Sequence, residues 1–194
     1  MKHILYLAGG NSRRFGENKL LYELEGKPLY RHGLDMLVSL IQTRDDCTLT
    51  VVSRYDEVLD GARACGVRAV FSPESEKGQS YTIRAGLDAL DVREGDFVVS
   101  VVADQPYLTA QTVAKLLDAA QPGITCARVG FGERRGNPAL FSAALVPELR
   151  ALRGDGGGRP LLLRPDCGLV QAGSELELCD IDTPAQLAGG TTGS

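Results

Sequence analysis

A chain of 194 residues is the size of one ordinary domain, and 43% hydrophobic with 24% charged residues is a globular composition, which excludes a disordered chain and a membrane-spanning one. A formal net charge of −4 excludes broad nucleic-acid affinity, because that requires a surface able to neutralise many phosphates. Five scattered cysteines with no Cys-x-x-Cys pair read as reduced thiols rather than disulfides or zinc ligands, and a first apolar stretch too short for a signal peptide completes the expectation of a cytoplasmic protein.

In chain order, β-rich runs alternate with helical spacing. The first strand is predicted over residues 3–8 (HILYLA), and Leu29, Leu34, Leu37, Val38 and Ile41 follow at helical intervals. A strand over 48–53, a helix around Val58, Leu59 and Ala62, and a strand over 67–71 come next. Ile83, Leu87 and Leu90 predict a helix, residues 96–102 (DFVVSVV) the most apolar strand, Val113, Leu116 and Leu117 another helix, and 124–129 a fifth strand. Strands apolar on both faces, separated by helices, form a parallel sheet covered on both sides, whose ligands bind beyond the carboxyl ends of the strands. Beyond residue 130 the alternation fades into FGERRGNPALF, a helix at 142–151, GDGGGRPLLLR and a closing strand, turn and helix in LELCDIDTPAQL. We expect a single domain over 1–188, with a flexible tail at 189–194.

Chemistry is therefore sought in the loops after the strands. LAGGNSRRFGENK, residues 7–19, leaves the first strand with Gly9 and Gly10, whose backbone can turn its N–H groups toward an anion, and with Arg13, Arg14 and Lys19 to add charge. Lys19 is followed by Leu20, so this is no Walker loop, and G-x-G-x-x-G is absent. VVADQP places Asp104 at the end of a buried strand, where a carboxylate is available to a hard cation; Thr109 is the better cap for the helix that follows. CDIDTP carries Asp180 and Asp182 at alternate positions, on one side if the segment is a strand, and either could complete a metal site with Asp104. Alternatively, Asp182 and Thr183 simply start a last helix. Gly78 to Ser80 opens a helix with free N–H groups and a hydroxyl.

Taken together, LAGGNSRRFGENKLL, EGKPL, GQSYTIRAGL, ADQP, RGNPALF, GDGGGR and DIDTP resemble, in this order, the motifs of molybdenum cofactor cytidylyltransferases and their guanylyltransferase relatives. The resemblance spans nearly the whole chain. It implies a Rossmann-like three-layer α/β/α nucleotidyltransferase fold of GT-A type with a mostly parallel sheet. The implied activity is transfer of NMP from an NTP to a terminal phosphate, with release of pyrophosphate. Leu7, Ala8, Gly9, Gly10, Ser12, Gly78 and Ser80 would meet the nucleotide. Arg14 and Lys19 would hold its phosphates, and Asp104 would bind Mg²⁺, or Mn²⁺ in its place, with Asp180 or Asp182 as the second carboxylate. The implied partners are CTP or GTP, a molybdopterin-type acceptor and an apo-molybdoenzyme recipient. Gly9 stands where cytidylyl members usually carry Ala, whereas GQSYTIRAGL, ADQP and GDGGGR favour the cytidylyl branch, so CTP is the expected nucleotide. A sugar phosphate as acceptor and a non-catalytic pterin carrier are the competing expectations.

Overall fold

The computed structural model describes residues 1–10 and 18–183. Strand β1 (Lys2–Leu7) is followed by a small hairpin of β2 (Glu23–Leu24) and β3 (Lys27–Pro28), then helix α1 (Leu29–Ile41), β4 (Cys47–Ser53), α2 (Asp56–Ala64) and β5 (Arg68–Phe71). Next come α3 (Gln79–Asp88), β6 (Phe97–Val102), α4 (Ala110–Asp118), β7 (Cys126–Phe131), β8 (Arg134–Ser142), α5 (Val146–Ala151) and β9 (Gly168–Gln171). Seven strands form one sheet in the order β5-β4-β1-β6-β8-β7-β9. The four strands from β5 to β6 are mutually parallel, β8 is antiparallel to both β6 and β7, and β9 runs parallel to β7.

The layers follow from the strand pleat. Ile4 and Tyr6 of β1 face the same core as Leu34 and Leu37 of α1, Val58 of α2 and Leu116 of α4. Leu5 and Leu7 face the opposite core, shared with Ile83 and Leu87 of α3 and Leu149 of α5. Helices thus cover both faces of a mostly parallel sheet, the α/β/α architecture expected of the alternating sequence. Thr109 caps α4 as predicted, accepting from the Thr112 N–H.

Three departures lie in the last third. FGERRGNPALF, where the alternation fades in the sequence, belongs to the β7–β8 hairpin, turning at Gly132 with φ +53°. Its proline and charges disguise a strand, because Asn137 and Pro138 sit at a register shift: Arg128 pairs with Ala139 while Val129 pairs with Gly136. A proline without an N–H is tolerated at such a bulge. The helix predicted over 142–151 is a 3-10 turn at Ala143–Leu145 leading into a short α5. The predicted closing strand is a 3-10 turn, Glu175–Leu178, and the added strand is β9 instead. The helix expected after Pro184 and the tail at 189–194 lie outside the described residues. No helix among the described residues is long and apolar enough to cross a membrane.

Candidate active site

The sheet order creates one place where the chain diverges. From β1 the fold extends through β4 and β5 on one side and through β6 on the other, so the loops leaving β1 and β6 separate above a shared crevice. Leu7 and Val102 are register partners, which brings Gly9 and Asp104 to the same end of neighbouring strands.

The first loop is tied down through its carbonyls. Ser53 Oγ donates to the Ala8 carbonyl at 2.8 Å and Tyr55 Oη to that of Gly10 at 3.2 Å, while the Ala8 N–H donates to Val52 at 2.9 Å. Among the described residues, the N–H groups of Gly9 and Gly10 have no such partner. That leaves two donors at the mouth of the crevice, as an anion cradle requires. A Cβ on Gly9 would lie 2.4 Å from Ser75 Oγ, so the glycine is dictated by close packing against Ser75 and Thr82. Ser12, Arg13 and Arg14 lie outside the described residues.

Lys19 opens a 3-10 turn, Lys19–Leu21, capped by the Asn18 side chain, and its own side chain turns inward until only 8% of the residue is exposed. Its Nζ donates to Asp104 Oδ2 at 2.8 Å, to the Ile181 carbonyl at 2.8 Å and to Asp182 Oδ1 at 3.1 Å. Burial alone, the largest single influence, would favour the neutral amine; the charges and hydrogen bonds of Asp104 and Asp182 together more than offset it, and the lysine pKa is raised. Lys19 is a fixed cation.

Backbone and side chain together bring CDIDTP to this point. The Ile181 N–H donates to the Asp104 carbonyl at 2.9 Å, and Ile181 itself is buried, so Asp180 and Asp182 emerge on either side of it without being part of a strand. Asp182 joins Asp104 at Lys19, whereas Asp180 accepts from Gln105 Nε2 at 2.8 Å. Partial desolvation, followed by the negative charge of Asp104, pushes the Asp180 carboxyl upward although the residue keeps an exposed side. No group of three His, Cys, Asp or Glu side chains arranged for a metal occurs among the described residues. The pair Asp104 and Asp182 nevertheless surrounds a positive charge already, both oxygens lying within 3.1 Å of one ammonium. Such a pair fits Mg²⁺ or Mn²⁺, hard cations that take one or two carboxylates and complete their shell with water and phosphate.

Two cavities meet at this centre and share Gly10, Lys19, Gln79, Val102, Asp104 and Asp155. The smaller, about 110 Å³, reaches under the first loop to Leu7, Gly9, Ser75, Gly78 and Thr82. The larger, about 1030 Å³, runs over the sheet face of β6, β8 and β7 beneath the glycine-rich segment 154–158. Gly78 lines the smaller cavity with its backbone against Gly154. Ser80, expected at the nucleotide, is fully buried, lines neither cavity, and donates its hydroxyl to the Gly154 carbonyl at 2.8 Å. Its part is to hold the glycine-rich segment over the crevice. Ala8 contributes only through its anchored backbone.

The sequence profile of the MobA-like NTP transferase domain matches residues 4–168. The chain belongs to the MobA-like NTP transferase family. The crevice is accordingly that of a nucleotidyltransferase. The "Purine catabolism protein PucB" of Bacillus subtilis (strain 168) is 29% identical over 193 residues, covering 94% of this transferase and 92% of that protein. A "Probable molybdenum cofactor guanylyltransferase" of Pyrococcus horikoshii is 68% identical over 31 residues, 16% of each chain. The crystal structure of the Mycobacterium tuberculosis rv0371c homologue from Mycobacterium sp. strain JC1 superposes with a TM-score of 0.77 at 27% identity, covering 96% of this chain and 95% of that one. Sequence reasoning missed Ser75, Thr82, Gln105 and Tyr55 in this transferase. Only Gln105, next to Asp104, carried a signal that could have found it.

Proposed function

We propose that this transferase moves CMP from CTP to the terminal phosphate of molybdenum-bearing molybdopterin. The observation that carries the reading is the buried Lys19 held between Asp104 and Asp182 where the smaller cavity under the first loop opens into the larger cleft. An oxygen of the acceptor phosphate forms the bond to the α-phosphorus. The bond from that phosphorus to the bridging oxygen breaks, and pyrophosphate leaves with the electron pair. The acceptor oxygen is already anionic at neutral pH, so the site needs alignment and charge stabilisation rather than a strong base. The N–H groups of Gly9 and Gly10 orient the nucleotide, Arg14 and Lys19 hold its phosphates, and Asp104 with Asp182 would hold Mg²⁺ or Mn²⁺. Such a cation supplies neutralisation of charge on the departing pyrophosphate. Asp180 stands beside that pair, its carboxyl raised by burial and by the charge of Asp104 and engaged by Gln105.

GTP is the second reading, favoured by the stretch shared with the Pyrococcus horikoshii protein and by Gly9. Pyrophosphate release is measured with Mg²⁺ and molybdenum-loaded molybdopterin, offering CTP, GTP, ATP and UTP one at a time. Release with CTP is expected, and Lys19→Ala and Asp104→Ala should each slow it by at least about 10²-fold. Release with GTP alone assigns the guanylyl activity, and silence with all four nucleotides discards the pterin acceptor.

A further inference from the structure

The cleft floor holds a cation that the transfer centre does not use. On one face of the sheet, Ser100 of β6 is in register with Ala139 of β8, and Ala139 with Arg128 of β7. Two small side chains followed by a long charged one leave open space above β6 and β8, with the guanidinium at its far end. Arg128 is half-buried and lines the larger cleft, beside the apolar Phe141. Its guanidinium makes no hydrogen bond or ion pair with any described residue. Arg134, Arg150 and Arg153 instead donate to backbone carbonyls, and Arg44 and Arg164 to carboxylates. With no protein acceptor, the five N–H donors of this cleft-lining guanidinium stay available to a ligand that brings acceptors.

Sheet geometry sets what this residue can reach. Arg128 lies two strand spacings, about 10 Å, from Ser100, which itself precedes Asp104 by roughly 13 Å of chain. An arginine side chain cannot cross that separation to the phosphates at Lys19. It meets the opposite end of whatever occupies the cleft. Arg159, at the start of the 3-10 turn Arg159–Leu163, lines the same cleft from the overlying segment and likewise has no partner among the described residues.

We propose that Arg128 is a specificity-determining residue for the acceptor: its planar fork binds the oxyanion- or carbonyl-bearing head group of an elongated phosphomonoester whose phosphate lies at Lys19. The inference rests on the transfer reading above and adds the class of acceptor, one with hydrogen-bond acceptors at the end remote from its phosphate. A guanidinium grips such a pair of acceptors bidentately, which a lysine ammonium cannot copy.

Arg128→Ala and Arg128→Lys are compared with the wild-type chain for acceptor KM, using molybdenum-loaded molybdopterin, and for CTP affinity measured without acceptor. The acceptor KM is expected to rise at least about tenfold in Arg128→Ala, and in Arg128→Lys too, because the charge alone does not restore the fork. CTP affinity and thermal midpoint should match the wild type. An unchanged acceptor KM in active Arg128→Ala overturns the proposal and leaves the transfer reading intact, and so does equal weakening of CTP and acceptor. If the wild-type chain releases no pyrophosphate with any nucleotide, the transfer reading fails. Arg128 is then judged by the equilibrium affinity for the same pterin: a tenfold loss in Arg128→Ala supports it, and wild-type affinity, or no binding to the wild-type chain, overturns it.

Discussion

At Gly9 a single hydrogen atom decides the packing of the smaller cavity's wall. An added methyl would stand 2.6 Å from Ser75 Cβ and 3.1 Å from Thr82 Oγ1, inside the hydrogen bond that joins Thr82 to Ser75 at 2.8 Å. Gly9→Ala is therefore expected to cost about 1–3 kcal/mol, as overpacking does, and to weaken nucleotide binding by moving the cavity wall. Ser75→Gly in the same chain should recover part of both losses, so a double-mutant cycle on urea midpoints with CTP affinity tests the contact. Additive effects of the two substitutions would show that Ser75 does not set the glycine. Gly9, Gly10, Lys19 and Asp104 were legible in the sequence because strand ends and glycine runs mark loops locally. The choice of Asp182 over Asp180 at Lys19 was not, since it depends on Ile181 being drawn in by Asp104 from 77 residues away. Arg128 was equally hidden, for nothing local separates a guanidinium above a cleft from one in solvent.

The element that positions the carboxylates is the short 3-10 turn before them, and it is held by a buried acid. Glu177, 3% exposed, accepts from the Thr109 N–H at 3.1 Å and the Thr109 hydroxyl at 2.8 Å through one oxygen, and from the Gly173 N–H at 2.8 Å through the other. Burial works against its charge, but bonds from Thr112 and Thr109 and from the backbone win, and the carboxyl lies below its usual range. Glu177→Ala should cost about 3 kcal/mol by leaving buried donors unpaired, and should lower transfer by releasing Asp182 from Lys19. Glu177→Gln should cost less. A group whose folded pKa is depressed stabilises above its unfolded value, about 4.3, and loses that contribution as pH falls through the folded one. The gap in thermal midpoint between wild type and Glu177→Gln should accordingly be full at pH 7 and narrow below about pH 4. A gap independent of pH would mean that the charge is not what Thr109 and Gly173 hold. The sequence displayed LELCD as alternating apolar residues and so suggested a strand; its acid is turned inward by partners that only the fold assembles.

Across the whole molecule, the parallel half from β5 to β6 was legible because helices must separate parallel strands, whereas the antiparallel β8 needs only a tight turn and left little trace. That strand also supplies part of the floor of the larger cavity, through Gly136, Asn137, Ala139 and Phe141. β8 pairs with β6 from Phe97–Ser142 to Ser100–Ala139, and Leu145 and Leu149 beyond it share the core of α3. The chain's later part is further closed onto the first loop by the Lys19 bond to the Ile181 carbonyl. With the ladder, the shared core and that bond all crossing between the nucleotide side and the acceptor side, we expect one folding unit and one cooperative transition. Urea unfolding followed by far-ultraviolet and near-ultraviolet circular dichroism should give coincident midpoints. Separate midpoints, with the segment 126–171 melting first, would mean that the floor of the larger cleft folds as a unit of its own. Arg128 could then be carried toward or away from the transfer centre without unfolding the nucleotide side, and acceptor affinity would fall at urea concentrations where CTP still binds.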